Sequence, residues 1–347
     1  MLLLLKQVIQ LIHNFFFNHV MTTIVKENEI RQCVNISEDI IPIIENAFVS
    51  LSNEEAVMPP ILRLDITENN GEVDVKTAYI KGLDSFAIKM SSGFYNNPSL
   101  GLPSTGGVMF LVSTKTGKLE TVLLDGGYLT DLRTAIAGAI AAKHLANKNI
   151  TNVGIIGAGM QAKLQLIALM LVRRPSTIRI WARDYKKAEE YIKEVSSTVN
   201  GNFINCKSPK DVTENSNLLI TATPSSSPLI QYEWLHKGLH ITAMGSDAEH
   251  KNELDPRIIQ NCDLYVADRQ SQTSILGELR HAIKNNLVSK EKKFIELGDV
   301  ISKKKNGRSS QDQITVCDLT GTGVQDTAIA RYALEIAIKN KLGLQLD

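Results

Sequence analysis

Gly157, Ala158, Gly159, Met160 and Gln161 follow the apolar run Val153 to Ile156 and open a helix-period segment, Lys163 to Arg174. A strand, a glycine turn and a helix start in that order can hold a dinucleotide. Gly157 permits the turn, and Gly159 lets backbone approach a pyrophosphate. Ala162 keeps helix and strand close, and the helix N-terminus offers unpaired N–H groups to the phosphates. The plainer alternative is a glycine turn in a nucleotide-free α/β domain. The next candidate strand, Thr177 to Trp181, runs into Ala182, Arg183 and Asp184. NAD sites usually place an acid at that strand end, whereas an arginine nearby accommodates a 2′-phosphate. Arg183 therefore leans the expected cofactor from NAD towards NADP, although Asp184 could turn to the ribose and Arg183 could be a solvated loop charge. Thr221, Ala222 and Thr223 follow the apolar run Leu218 to Ile220. They are either further cofactor contacts or a plain strand-to-helix turn.

A second group of residues could handle an acid substrate. Arg133 lies soon after Thr130, the expected helix N-cap, where the macrodipole already makes the helix end positive. A carboxylate held by Arg133 and the helix end together would explain that placement, and so would pairing with Asp131, Asp125 or another acid in the fold. Arg63 and Lys89 interrupt apolar strands and are either substrate cations or solvent-facing residues of an alternating pattern. Asp247 follows the apolar strand Leu239 to Met244, at the carboxyl end where doubly wound folds bind ligands. Beside a nicotinamide it could take a proton from a substrate ammonium, leaving a neutral amine able to expel hydride from Cα. In reverse it protonates the amine formed when an imine accepts hydride, assistance worth roughly 10²–10⁴ in rate. Capping of a helix before Glu249 to Leu254 is the competing role for Asp247. His250 and Lys251 are secondary contacts or surface residues, and Lys251 is expected at the surface.

Composition bounds what those residues serve. The 347 residues allow two domains, and 43% hydrophobic content with net charge +1 describes an ordinary globular chain. The short basic run Lys303-Lys-Lys305 suggests a solvated loop, not a nucleic-acid site. Four scattered cysteines fit a reducing, cytoplasmic setting, and seven histidines without HExxH-like spacing give no reason to expect a metal. Residues 1–20 are apolar but interrupted by polar side chains, a poor membrane span, and Met21 restarts the chain. They are read as a targeting leader or a misassigned start.

The elements follow from hydrophobic rhythm. Residues 27–52 carry helix periodicity, with Ser37 as cap; 61–66, 73–80 and 86–91 read as strands; and 108–113 with 119–124 form a hairpin. An alanine-rich helix runs from 130 to 146, strands follow near Val153, Ile178, Leu218, Ile241 and Leu264, and a final helix spans 324–342. The expected fold is α/β. A Rossmann-type dinucleotide-binding domain, 136–319, joins an α+β substrate and dimerisation domain, 21–135 and 320–347, which the C-terminal helix completes.

Several motifs recur in order: Lys76-Thr-Ala-Tyr79, Phe86-Ala-Ile-Lys89, Gly101-Leu-Pro-Ser104, Leu124-Asp-Gly-Gly-Tyr-Leu-Thr-Asp-Leu-Arg-Thr-Ala135, Gly157-Ala-Gly-Met-Gln-Ala162, Met244-Gly-Ser-Asp247 and Leu319-Thr-Gly-Thr-Gly-Val-Gln-Asp326. Over residues 21–347 the chain resembles the ornithine cyclodeaminase / mu-crystallin family. Gly93-Phe-Tyr-Asn-Asn-Pro98 and the segment 244–253 look most like its ectoine-utilisation cyclodeaminase-like branch, itself similar to iminosuccinate reductase. The resemblance implies a homodimer and an NAD- or NADP-dependent enzyme of imine chemistry on a small amino or imino acid. Arg63, Lys89 and Arg133 would grip the substrate carboxylate, Asp247 would be the acid/base, and Gly323 would approach the nicotinamide. Lys76 is the expected occupant of the position where ornithine cyclodeaminases carry a glutamate for the distal amine. A lysine there disfavours ornithine and favours an acidic or neutral substrate. A crystallin-like protein that binds NADPH and a small ligand with little turnover, and an alanine dehydrogenase-type enzyme, are the alternatives. No membrane or nucleic-acid partner is implied.

Overall fold

The computed structural model describes residues 21–346, so the expectation for residues 1–20 lies outside the described residues. Strands β1 (Thr22–Lys26), β2 (Ala56–Val57), β3 (Leu62–Ile66), β4 (Gly71–Ile80), β5 (Ser85–Phe94), β6 (Thr105–Ser113) and β7 (Leu119–Leu124) belong to one sheet. The second sheet contains β8 (Asn152–Ile156), β9 (Thr177–Trp181), β10 (Asn202–Asn205), β11 (Leu218–Thr221), β12 (His240–Ala243), β13 (Leu264–Ala267), β14 (Ile295–Glu296) and β15 (Thr315–Asp318). A last strand, β16 (Leu344–Leu346), returns to the first sheet beside β1. The helices that matter for the site are α1 (Ile40–Ser52), α2 (Tyr128–Leu145), α3 (Met160–Leu169), α4 (Tyr185–Val195), α5 (Glu278–Lys284) and α6 (Gly323–Lys339).

In the first sheet the order is β16-β1-β7-β6-β5-β4-β2, with β3 also on β4, and the pairing is antiparallel except between β1 and β7. Alternation buries one face: Ala87 and Lys89 on β5, Lys76 and Ala78 on β4, Met109 and Leu111 on β6. Lys89 is thus an inward residue, and the solvent-facing reading of it fails. Lys76 lies directly across from Lys89 in the ladder. Like charges so placed repel, and the fold must supply a counter-charge.

The second sheet is wholly parallel, in the order β10-β9-β8-β11-β12-β15-β13-β14. Strand order reverses between β8 and β11, the switch point of a doubly wound sheet, and the glycine turn leaves the carboxyl end of β8 there. β10, β14 and β15 are short or polar-ended and carry no periodic signal. β15 is nonetheless fully buried, because neighbours cover both of its faces.

Two helix starts differ from expectation. The 27–52 segment breaks at Val34, which is extended, into Glu27–Cys33 and α1, and Asp39 rather than Ser37 occupies the cap. Helix α2 begins at Tyr128, not near Thr130: Gly126 and Gly127 turn the chain at positive φ, and the Asp125 carboxylate accepts from the Leu129 N–H at 2.9 Å. Arg133 consequently sits in the second turn, beyond the strongest part of the helix dipole. The same helix is continuous across residues 135 and 136.

Helix α6 packs against α1, β4 and β5 through Ala330, Ala333 and Ala337, while Ile338 stays exposed. Thr327 ties it to the sheet, donating to the Ala78 carbonyl at 2.8 Å and accepting from the Ala87 N–H at 3.0 Å. Gly323, the first residue of α6, sits so close to β4 that an added Cβ would lie 2.4 Å from the Thr77 carbonyl oxygen. Gly323→Ala should therefore push α6 off the sheet and cost roughly 1–3 kcal/mol. A thermal denaturation midpoint equal to that of the unsubstituted chain would contradict this contact.

Candidate active site

At the switch point lies a cavity of about 380 Å3 lined by Gly157, Ala158, Gly159, Arg183, Lys187, Ala222 and Thr223. Gly157 has φ +117°, and a Cβ there would meet the Ala222 carbonyl oxygen at 2.6 Å, so only glycine makes this turn. At Gly159 an added Cβ would meet nothing within 4 Å. Gly159 caps α3 without a side-chain hydrogen bond, leaving the first N–H groups of the helix open to an anion. These residues fit a dinucleotide pyrophosphate. At the ribose end, Asp184 is engaged as the cap of α4, accepting from the Lys186 N–H at 3.0 Å. Arg183 and Lys187 line that end as cations, together with Asp184.

Other sequence candidates are placed differently. Met160 is exposed at the start of α3. Gln161 turns towards the substrate side, donating to the Asp131 carboxylate at 2.7 Å. Thr221 is fully buried, its hydroxyl given to Glu253 at 2.6 Å, and only Ala222 and Thr223 of that trio line the cavity. Gly323 faces β4 and lines neither cavity. From its turn it is Thr320 and Gly321 that line the second cavity described below.

The second cavity, about 230 Å3, lies between the sheets and is lined by Lys76, Arg133, Gln161, Met244, Asp247 and Lys251 among others. Lys76 and Arg133 are 7% and 4% exposed. Beneath them Lys89, 1% exposed, and Arg133 share the carboxylate of Asp326, at 3.1 and 3.0 Å. Asp326 lies in the first turn of α6 and is wholly buried. Burial alone would raise its carboxyl, but Arg133, Lys89 and Lys76 together hold it below the usual range. Burial pushes the Lys89 ammonium down to about 7, with Asp326 restoring part of the loss and Arg133 and Lys76 adding to it. Lys76 is lowered too, by burial first and then by Arg133. Its ammonium reaches only the Thr320 and Gly321 carbonyls, at 3.4 and 3.3 Å, and makes no ion pair among the described residues.

Asp247 stands at the cavity mouth, half exposed, 2.5 Å from the ammonium of Lys251. Its desolvation in the cleft favours the neutral acid, but Lys251 and then Lys76 outweigh that and lower the carboxyl. Lys251 is not the surface residue expected: its side chain is 13% exposed and faces the cavity. His250 is exposed. Arg63 does not join the other cations. It is held by Glu72, by Asp65 at 2.9 Å and by Asp74 at 3.7 Å, in an adjoining apolar cavity that shares Asp74 and Asp247 with this one. The acids on β3 and β4 capture it because alternation puts them on its own face.

Sequence reading gave no role to Asp326 or Glu253 and placed Lys251 at the surface. A signal for Asp326 existed: three cations on inward positions require a buried acid, and Asp326 follows the Thr-Gly-Thr-Gly turn. Among the described residues no cluster of three or more His, Cys, Asp or Glu could hold a metal ion, and no helix is long and apolar enough to cross a membrane.

A glycine turn at the switch point of a parallel sheet, beside a cavity pairing buried cations with a carboxylate, is the architecture of a nicotinamide-dinucleotide oxidoreductase. Comparison with known proteins narrows the class. The family model described as Ornithine cyclodeaminase/mu-crystallin family matches residues 20–341. An uncharacterized cyclodeaminase of Sinorhizobium fredii is 50% identical over 92% of this chain and 97% of its own. The Delta(1)-pyrroline-2-carboxylate reductase of Thermococcus litoralis, solved with NADH and L-proline, superposes with a TM-score of 0.87 at 26% identity, over 94% of this chain and all of that one. The iminosuccinate reductase of Paracoccus denitrificans, solved with NAD+, gives 0.84 at 27% identity, over 94% of this chain and 99% of that one. The chain belongs to the ornithine cyclodeaminase/mu-crystallin family.

Proposed function

We propose that this protein is an NAD(P)-dependent enzyme of imine chemistry that interconverts a small α-imino acid and the corresponding α-amino acid. The carrying observation is the cavity in which buried Lys76 and Arg133 converge opposite Asp247, next to the dinucleotide turn. Gly245 abuts the Thr223 carbonyl, so the two cavities share a wall. A bound nicotinamide supplies the hydride donor or acceptor. Arg133, braced by Asp326, holds the α-carboxylate, Lys76 is left for a second acid group, and this fixed geometry supplies the larger entropic share of the rate. Asp247 is a carboxylate at neutral pH. It takes the proton from the substrate ammonium in the oxidative direction and returns it to nitrogen in the reductive one. Arg183 and Lys187 favour the phosphorylated dinucleotide, NADP, over NAD.

Lys76, nine-tenths buried and without an ion pair, favours an acid substrate such as iminosuccinate. One observation supports a second reading, cyclodeamination of a diamino acid: Asp74 lines the same cavity, and its Oδ1, 3.7 Å from Arg63, has no hydrogen-bond partner and could hold a distal ammonium. A panel of open-chain and cyclic imino acids, diamino acids and alanine with each cofactor separates these readings. Oxidation of NAD(P)H by an imino acid is the expected result. Dinucleotide binding without turnover of any member would leave a crystallin-like binding protein.

The face of the first sheet away from α6 is apolar, with Ile88 opposite Phe110, Phe110 opposite Val122, and Phe86 opposite Val112. A second copy of the chain covers it in this proposal. Sedimentation should give twice the 38.3 kDa chain mass, and a monomer at working concentration would overturn the assignment.

Lys251 lowers the Asp247 carboxyl, so the proton-accepting form persists to low pH. Lys251→Met removes that charge and lets burial raise the carboxyl. The acid limb of the pH profile for amino acid oxidation should then move to higher pH. An unmoved limb with intact dinucleotide binding would remove Asp247 from the proton transfer.

A further inference from the structure

We infer that Glu253 is a positioning residue that fixes the wall between the dinucleotide and substrate cavities, and thereby the spacing of the cofactor from Asp247. The inference rests on the reading of the two cavities given above. Glu253 is 0% exposed. Its Oε1 accepts from the Thr223 N–H and the Thr223 hydroxyl, both at 2.7 Å, and its Oε2 accepts from the Thr221 hydroxyl at 2.6 Å and the Gly245 N–H at 2.8 Å. These donors come from the segments that leave the carboxyl ends of β11 and β12. One segment carries Thr223 into the dinucleotide cavity, and the other carries Met244 and Asp247 into the substrate cavity. One carboxylate therefore ties together the two loops whose separation decides whether a hydride and a proton can be exchanged with the same molecule.

The carboxylate is itself immobilised. The Glu253 carbonyl accepts from the Leu229 and Ile230 N–H groups at 2.7 and 3.1 Å, and its own N–H donates to Glu278 at 2.8 Å. Glu278 also takes the Asn252 side-chain amide at 2.6 Å. A Cβ at residue 245 would lie 2.3 Å from the Thr223 carbonyl oxygen and 2.5 Å from Glu253 Cδ, so the packing leaves no slack. Burial favours the neutral acid and raises the Glu253 carboxyl, while its four donors oppose that. Four donors suit the ionised form, which only accepts.

Glutamine reproduces the shape but not the pattern. Whichever way its amide is turned, the NH₂ group faces one hydroxyl, which can rotate to accept, and one backbone N–H, which cannot. Either the Thr223 or the Gly245 N–H is left without an acceptor, and that loop must shift. A shift of this kind weakens cofactor binding and misplaces Asp247 together.

The test compares the full-length protein with Glu253→Gln, Glu253→Asp and Val212→Ala, the last a truncation of a fully buried core residue outside both cavities. NADH and NADPH affinities are read by fluorescence titration, turnover by nicotinamide absorbance, and folding by thermal denaturation. Expected are roughly tenfold losses in both kcat and dinucleotide affinity for Glu253→Gln, partial recovery in Glu253→Asp, and unchanged kcat for a comparably destabilised Val212→Ala. Wild-type affinity and kcat in Glu253→Gln, or equal kcat losses in Val212→Ala, would make Glu253 merely structural and overturn the inference. Failure of the unsubstituted protein to bind either dinucleotide would instead remove the functional reading itself, and this inference with it.

Discussion

The site depends on one buried charge. Asp326, in the first turn of the C-terminal helix, is the anion around which Lys89 and Arg133 close, and without it two cations would face each other in the interior unpaired. Removing one partner from such a group typically costs about 3–5 kcal/mol, because the remaining charge stays buried. The helix dipole adds to this, since the positive end of α6 favours an acid in its first turn. The arrangement is also incomplete by design of charge. Lys76, directly across the ladder from Lys89, hydrogen-bonds only to backbone carbonyls and makes no ion pair among the described residues.

The consequence is a division of labour along the chain. The first sheet and α2 provide the cations, α6 provides their buried counter-charge, the parallel sheet provides the dinucleotide turn and Asp247, and the site forms where they meet. A shared apolar core joins them, and at the site polar contacts cross between them: Lys76 to the Thr320 and Gly321 carbonyls, and Gln161 to Asp131. Most are made by residues near the ends of strands or helices. A modest change of angle between the sheets would therefore alter the distance between Arg133 and Asp247.

A second layer consists of carboxylates that never meet solvent. Asp268 accepts from the Thr320 and Gly321 N–H groups at 2.7 and 2.8 Å, Glu253 holds the loops after β11 and β12, and Glu278 holds the segment that bears Glu253. Burial pushes all three towards the neutral acid while multiple N–H donors oppose it. In each case an acid replaces water as the acceptor for loop backbone, so these N–H groups of the loops that line the cavities are paired inside the protein.

Much of this was legible in the residues themselves. The glycine turn, Arg183, Asp247 and the alternating strands are local patterns, and local patterns are what a sequence displays: Gly157 needs positive φ wherever it stands, and an apolar strand entering a glycine turn has few other uses. Tertiary structure alone decided the rest. It put Lys76 and Lys89 on the buried face, gave Arg63 to Glu72 rather than to the substrate side, turned Gly323 against β4, and brought Lys251 from the expected surface to Asp247. These outcomes depend on which neighbour a side chain meets across a strand pair or between two sheets, and such neighbours lie up to hundreds of residues apart in the chain. Sequence determines which groups can carry charge; only folding determines which of those charges are already neutralised and which are left for a ligand.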